Sequence, residues 1–122
     1  MTDRKTLIRE YKERQKPAGV FQVKNKATGK VFLASSLNVE GSLNKQEFLL
    51  ASGAHKNKAL QADWKKFGRD QFEFSILETV KVTEDPGFNL KDELTLLEEI
   101  WLEQLQPVGE NGYNTSDKIR EA

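Results

Sequence analysis

The first stretch of alternating apolar and polar residues predicts a β-hairpin. One β-type run covers Val20–Lys24, where the side chains alternate as in a strand with one buried face, and a second run covers Lys30–Ser35. Asn25 and Gly29 lie between the runs, and both residue types suit a tight reversal of the chain. The two runs are therefore expected to pair with one another.

Three later segments have apolar residues at helical spacing. The first is Val39–Ser52, with Asn38 placed to cap its start and Gly53 placed to end it. The second is Lys58–Phe67, and the third covers about Lys91–Leu105. The apolar residues that define these helices are Leu43, Phe48, Leu49, Leu50, Leu60, Trp64, Phe67, Leu94, Leu97, Trp101 and Leu105.

The third of these helices has a broad apolar surface. Leu96, Ile100 and Leu102 add to its main stripe, and a helix that is apolar over most of its circumference belongs in a protein interior. We therefore expect this helix to be well buried. Trp64 and Trp101 sit at core spacing in the second and third helices, and both are expected to be packing residues.

A further strand and an N-terminal helix complete the predicted order. Phe72, Phe74 and Ile76 alternate with polar residues between the second and third helices, which predicts a strand. Residues 2–16 predict a charged helix that ends at Pro17. The narrow apolar face of this N-terminal helix consists of Leu7, Ile8 and Tyr11.

This order of elements indicates the α/β class, with a short three-stranded sheet, mixed or antiparallel, flanked by helices. The expected organisation is a charged N-terminal helix over residues 1–18, one domain over residues 19–116 and a tail over residues 117–122. A chain of 122 residues is long enough to bury a core without a covalent staple. One small domain is therefore the expectation.

Composition excludes several kinds of chemistry. The chain has no cysteine, which rules out disulfides, thiolate metal sites and cysteine nucleophiles. No apolar run approaches the ~18 residues that would cross a bilayer, and the first residues lack the apolar stretch of a signal peptide. A cytoplasmic protein without a membrane partner is therefore expected.

The net charge of zero hides an uneven distribution. Residues 1–70 carry fifteen Lys or Arg and seven Asp or Glu, whereas residues 71–122 carry four and twelve. The first part is therefore basic by eight charges, and the second is acidic by the same number. A basic half of this kind could follow a phosphate backbone, or the two halves could neutralise one another in the folded chain.

Five short blocks of the sequence are informative through their residues, their order and their spacing. GVFQVKN (Gly19–Asn25) and KVFLASS (Lys30–Ser36) carry aromatic residues eleven positions apart, and GAHKNKALQADWKKFGRDQFEFSILE (Gly53–Glu78) follows the first helix. LLEEIW (Leu96–Trp101) and ENGYN (Glu110–Asn114) come later. Together these blocks resemble the GIY-YIG nucleases in their homing-endonuclease branch. The resemblance implies a small layered domain of the GIY-YIG type over nearly the whole chain.

Metal-assisted phosphodiester hydrolysis is the activity that this resemblance implies. In the family, one of two tyrosines on the hairpin helps to activate the attacking water, and an arginine on the first helix neutralises the developing charge. A glutamate on the late helix binds a divalent cation. These roles supply the proton acceptor, the positive charge and the Lewis acid that the reaction needs. The implied partner is nucleic acid, with DNA as the expected type.

Position by position, most of the family's catalytic groups are replaced in this chain. Phe21 and Phe32 stand at the two tyrosine positions, and phenylalanine has no hydroxyl to donate or accept a proton. Ser42 stands at the arginine position, Gln46 at that of a helix histidine and Ala34 at the glycine of the second motif. Losing the charge-stabilising contact costs about 10²–10³ in rate, and losing a general base costs about 10²–10⁴. An impaired or inactive nuclease is therefore expected.

Other family positions keep a residue capable of chemistry. Glu98 is three residues before Trp101, at the metal-binding position, and predicts weak Mg²⁺ or Mn²⁺ binding. The alternative is an ordinary surface glutamate in an acidic helix. His55 stands at a histidine position, where it could bind phosphate, act in place of the lost tyrosines or simply pack near a helix start. The residues predicted to bind nucleic acid are Lys24, Lys45, Lys56 and Asn114.

Three functions follow from these observations, and the sequence leaves them open. The first is a nucleic-acid-associated domain of the nuclease family with a degraded active site. The second is an active endonuclease with a rearranged site that uses Glu98 for the metal and His55 or Lys45 for the remaining roles. The third is a protein-interaction module built on the same scaffold.

Overall fold

The computed structural model describes residues 17–114. The predicted helix over residues 2–16 and the predicted tail over residues 117–122 lie outside the described residues. Short 3-10 turns precede the third strand and follow the last helix. The main elements of the described chain are β1 (Gly19–Asn25), β2 (Val31–Ser36), α1 (Val39–Ser52), α2 (Lys58–Phe67), β3 (Phe72–Thr79) and α3 (Leu90–Leu105).

The sheet is antiparallel throughout, in the order β2-β1-β3. β1 and β2 form the predicted hairpin, in which Val23 pairs with Phe32. On the other side of β1, Val23 pairs with Phe74, and a register shift falls between Val20 and Phe21. The prediction of a three-stranded sheet flanked by helices is confirmed, and its antiparallel version is the correct one.

The two faces of the sheet carry separate apolar clusters. Val23 packs with Leu50 of α1 and Leu60 of α2 on one face. Val20 packs with Leu33 and with Leu102 of α3 on the other face. Since successive residues of a strand point to opposite sides, the domain has α1 and α2 on one face of the sheet and α3 on the other.

An asparagine caps the start of α1, α2 and α3. Asn38, Asn57 and Asn89 each accept a hydrogen bond from a backbone N–H of the first turn through the side-chain oxygen. α1 ends at Gly53, whose positive φ of 79° places it in the left-handed region where glycine is favoured. The predicted cap and stop of the first helix are both confirmed.

The prediction that the last helix is well buried is wrong. Leu96 and Ile100 are 52% and 48% exposed, while Leu94 and Leu102 are buried. The reason is that the sheet covers only one side of α3, so residues that broaden the apolar stripe turn away from it. Phe48 of α1 is likewise 70% exposed, since that helix buries Val39 and Leu50 instead. Between residues 17 and 114, no helix combines the length and apolarity needed to span a bilayer.

Candidate functional site

An open groove of about 490 Å³ lies beside β2 and the start of α2. Three predicted site residues, Phe32, His55 and Lys56, line it together. The other predicted site residues are not part of its described lining. The remaining lining residues are Asn57, Lys58, Ala59 and Tyr113.

Both ring nitrogens of His55 have hydrogen-bond partners. The backbone N–H of Asn57 donates to Nδ1 at 3.0 Å, and Nε2 lies 2.5 Å from Oε1 of Gln46. Since Nδ1 accepts a hydrogen bond, the proton of the neutral ring is on Nε2 and is donated to Gln46. The ring also meets Phe32 edge-on, with 5.5 Å between the centroids. The imidazole is therefore fixed as a neutral donor.

The protonation state of His55 agrees with this arrangement. Burial lowers the pKa of the ring below its ordinary value and is the largest effect on it. Protonation would also require Nδ1 to give up the hydrogen bond that it accepts from Asn57. His55 is therefore neutral near pH 7.

Asn57 connects the groove to the end of the domain. Its side-chain oxygen caps α2 by accepting from Leu60 N at 3.0 Å, and its amide nitrogen donates to the carbonyl of Tyr113 at 2.7 Å. Sequence reasoning missed Asn57, although an asparagine directly before a predicted helix is a known capping signal. This residue positions His55, the start of α2 and the turn over residues 109–114, here called the closing turn, relative to one another.

Tyr113 lines the groove, and its hydroxyl is engaged by two other side chains. Its hydroxyl donates to Asp63 Oδ2 at 2.7 Å and accepts from Nδ2 of Asn25 at 3.1 Å. Burial, followed by contacts that include Asp63, raises the pKa of Tyr113 to about 12. The hydroxyl therefore keeps its proton near pH 7, and no phenolate is present there to act as a base. The sequence motif ENGYN contained this residue, but only its last asparagine was predicted to have a role.

Asn114, predicted to bind nucleic acid, has both polar atoms of its side chain engaged by β2. Oδ1 accepts from Leu33 N at 2.8 Å, and Nδ2 donates to Leu33 O at 2.7 Å. Because β2 is at the edge of the sheet, this pair of bonds covers part of an otherwise open strand edge. Tyr113 N donates to Val31 O in the same way. Asn114 is 8% exposed, and the structure gives it a structural role.

Two substituted family positions lie apart from the groove lining. Phe21 is 1% exposed on β1, so its ring is part of the interior. Ser42 is half-buried near the start of α1, where its hydroxyl donates to Ser36 Oγ at 2.5 Å. The Ser36 hydroxyl in turn donates to the carbonyl of Asn38 at 3.0 Å. Ser42 thus belongs to the hydrogen-bond network that begins this helix.

The predicted cations differ in exposure. Lys45 is exposed on α1, and Lys56 is exposed at the rim of the groove beside Lys58. Lys24 is half-buried on β1. A further cation, Lys30, has its Nζ 5.9 Å from the centroid of the Tyr113 ring, within the range of a cation–π contact.

The predicted metal ligand Glu98 is half-buried on α3, the helix that packs on β1 and β2. Within residues 17–114, no group of three or more His, Cys, Asp or Glu side chains is arranged to hold a metal ion. A single carboxylate still fits Mg²⁺, which commonly keeps several waters and takes its other ligands from substrate phosphate. The donor set therefore suits a cation that arrives with a phosphate and does not suit a dedicated protein cage.

Comparison with known proteins places this geometry in a family, although no protein-family model matches the chain. The chain is 31% identical over 100 residues to intron-associated endonuclease 1 of enterobacteria phage T4. The aligned part is 82% of this chain but only 37% of that protein, so the chain spans little more than a third of its relative's length.

Two solved structures are matched over a much larger fraction of their own length than this relative is. The catalytic domain of homing endonuclease I-TevI superposes with a TM-score of 0.65 at 30% identity, covering 82% of this chain and 99% of that domain. A point mutant of the catalytic domain of intron endonuclease I-TevI gives 0.64 at 30% identity, covering 80% and 92%. With this identity over the complete solved domain, the chain belongs to the GIY-YIG homing-endonuclease-like family.

Proposed function

We propose that this chain is a nucleic-acid-binding domain of the nuclease family whose own cleavage activity is impaired. DNA is the expected ligand, because the relatives are an intron-associated endonuclease and a homing endonuclease. In this proposal the domain has the fold of the family and lysines that bind phosphate, but it lacks the groups that would transfer a proton during hydrolysis. An active endonuclease with a rearranged site is the competing function.

The state of His55 carries the proposal. A general base needs a free lone pair within reach of the attacking water. Phe32 brings no hydroxyl to the groove, and the neighbouring imidazole uses one nitrogen to accept from Asn57 and the other to donate to Gln46. His55 would have to break one of these bonds before it could accept a proton from water. This arrangement supports binding without efficient hydrolysis.

Loss of positive charge at Ser42 supports the same conclusion. The serine hydroxyl is engaged with Ser36, and it carries no charge to stabilise a phosphorane-like transition state. Lys45 lies one turn further along α1 and is exposed. An ammonium there is a point charge that lacks the bidentate geometry of a guanidinium, so it would replace the arginine poorly.

Binding to a phosphate backbone would use the lysines of the basic half. Lys56 and Lys58 at the groove rim are the best placed, and Lys45 and Lys24 are the further candidates. Asn114 is left out of this proposed surface because β2 engages both of its polar side-chain atoms. Mg²⁺ or Mn²⁺, when present, would act as a Lewis acid on phosphate oxygen, and Glu98 is the residue proposed to hold it.

Nicking of supercoiled plasmid with Mg²⁺ or Mn²⁺ tests the proposal. The natural chain is expected to leave the plasmid intact. Activity is expected to appear in Phe32→Tyr combined with Ser42→Arg, because Phe32 faces the groove and a tyrosine hydroxyl there would reach it. A triple variant that also carries Phe21→Tyr would place a hydroxyl at a fully buried position and could fail to fold. The double variant avoids this risk.

A second set of outcomes distinguishes the competing function. Nicking by the natural chain that disappears in Glu98→Ala would establish an active enzyme with a rearranged site, and the proposed impairment would be wrong. Binding is measured separately by fluorescence anisotropy with a labelled duplex over a salt series. Affinity that falls steeply with salt supports the proposal, and no binding at low salt refutes it.

A further inference from the structure

The outward side of α3 combines exposed apolar side chains with carboxylates. Leu96 and Ile100 are one helical turn apart, and about half of each side chain is exposed. With about 100° between successive residues, four acidic residues point within about 60° of the Leu96 direction. We call the following six residues the outer face of α3: Asp92, Glu93, Leu96, Glu99, Ile100 and Glu103.

Neither apolar cluster on the sheet includes Leu96 or Ile100. The opposite side of α3 supplies Leu97, Leu102 and Leu105 to the cluster on the sheet. Trp101 fixes the rotation of the helix further, because its Nε1–H donates to Glu78 Oε1 at 3.0 Å. With the inward side determined in this way, Leu96 and Ile100 cannot turn toward the core without breaking it. Leu96 and Ile100 are neighbours one turn apart, so their exposed parts form one small apolar patch with charged residues around it.

A shallow groove continues the outer face toward the sheet. Glu93 and Leu97 of α3 line it together with the end of β3 and the residues after it, and its volume is about 180 Å³. A side chain that projects from a partner helix lying on Leu96 and Ile100 could enter this groove. The apolar pair, the acidic surround and the groove therefore form one continuous surface.

The charge of this surface selects the class of partner. Four carboxylates around the apolar pair would repel a phosphate backbone, so this face does not contribute to the nucleic-acid surface proposed above. They complement a helix whose apolar stripe is flanked by Lys and Arg. We propose that the outer face of α3 binds a basic amphipathic helix of a partner protein. This inference goes beyond the proposed function and does not depend on nuclease activity.

Titration with a synthetic peptide tests this docking site. The probe is a helix of about 18 residues with Leu at every third or fourth position and Lys or Arg elsewhere, and the control peptide has Glu in place of the basic residues. Saturable shifts in amide spectra of the full chain are expected on α3, with the basic peptide only. Leu96→Ser with Ile100→Ser is expected to weaken binding at least about tenfold. Phe48→Ser, another exposed apolar position, should leave binding unchanged.

Neutralising carboxylates of the outer face of α3 provides a second test with the same peptides. Glu93→Gln with Glu103→Gln should weaken binding and reduce its dependence on salt. The absence of saturable binding, shifts that map to another surface, or equal binding by the Leu96 and Ile100 variant would each overturn the proposal. Binding that appears only after Leu7→Ser and Ile8→Ser would mean that residues 1–16 of the chain itself occupy the face, which also overturns it. Thermal melts confirm that each variant is folded.

Discussion

The closing turn at Asn114 and the groove beside His55 are neighbours that share Tyr113, but their polar atoms serve different purposes. In the turn, the Asn114 amide bonds to both backbone groups of Leu33. The groove instead combines one histidine, whose two nitrogens are both bonded, with exposed lysines at its rim. Both regions contain positions that the family resemblance marks as functional.

This difference separates side chains that hold the fold together from side chains that are exposed to a ligand. The turn stabilises the sheet edge through Asn114, and this role does not depend on cleavage activity. The lysines at the groove rim, Lys56 and Lys58, are exposed and lie on the surface of the fold. Removing a residue from the turn should therefore affect folding, whereas removing charge at the groove rim should affect binding.

The largest expected effect is that of Asn114→Ala. The substitution leaves the N–H and C=O of Leu33 without the side-chain partners that they have in the structure. We expect the free energy of unfolding to fall by about 2–4 kcal/mol, measured by urea denaturation. Asn111→Ala, an exposed position in the same turn, is the control and should change stability little. A small loss at Asn114 would show that this turn is not needed to hold β2.

Tyr113→Phe should have the next largest effect. The change removes the hydroxyl that links Asp63 and Asn25, and it leaves Nδ2 of the fully buried Asn25 without this acceptor. A loss of about 1–3 kcal/mol in the free energy of unfolding is expected. Asp63→Asn keeps an acceptor for the tyrosine hydroxyl and should be milder. Equal losses in the two variants would mean that the charge of Asp63 accounts for the stabilisation, and that the hydrogen bond to the buried Asn25 adds little to it.

Much of this architecture follows from sequence pattern. Strand alternation around Val23 and the capping asparagine at Asn38 predicted the hairpin and the first helix, and both are confirmed. Periodicity did not predict which side of α3 faces the sheet. Leu96 and Ile100 broaden the apolar stripe, but a three-stranded sheet covers only one side of the helix, so they are exposed. The exposure of these two residues depends on how many strands the sheet has, and the pattern of apolar residues within one helix does not give that number.

The candidate site was predicted less completely than the fold. Phe32, His55 and Lys56 line one groove, and the sequence alone did not show that His55 would face it. The hydrogen bonds that fix the imidazole come from Gln46 and Asn57, and these contacts join segments that are separate in sequence. Position-by-position comparison therefore named His55 as a candidate but could not predict the proton state of its ring.

Neutralising the groove rim should affect binding more than stability. Lys56→Gln with Lys58→Gln is expected to weaken duplex binding roughly three- to tenfold and to reduce the salt slope by about two, if each lysine contacts one phosphate. The free energy of unfolding should stay within about 0.5 kcal/mol, because both side chains are exposed. Lys81→Gln with Lys91→Gln removes the same charge from the acidic half and is the matched control. Equal weakening by both pairs would indicate that net charge, and not the groove, determines binding.

The smallest expected effect is a change in how stability depends on pH. Because burial lowers the pKa of His55 in the folded chain, the unfolded ring takes up a proton near its ordinary value of about 6.5 while the folded ring stays neutral. The free energy of unfolding should therefore fall as the pH is lowered from about 7 to about 5, since the unfolded state binds more protons in that range. In His55→Gln this contribution should be absent, so the variant should show a shallower slope over the same interval. Urea denaturation at several pH values measures it, with Lys56→Gln as a neighbouring control that does not titrate there. If the free energy of unfolding depends on pH equally in His55→Gln and in the natural chain, the folded ring protonates as easily as the unfolded one. His55 would then be a candidate general base.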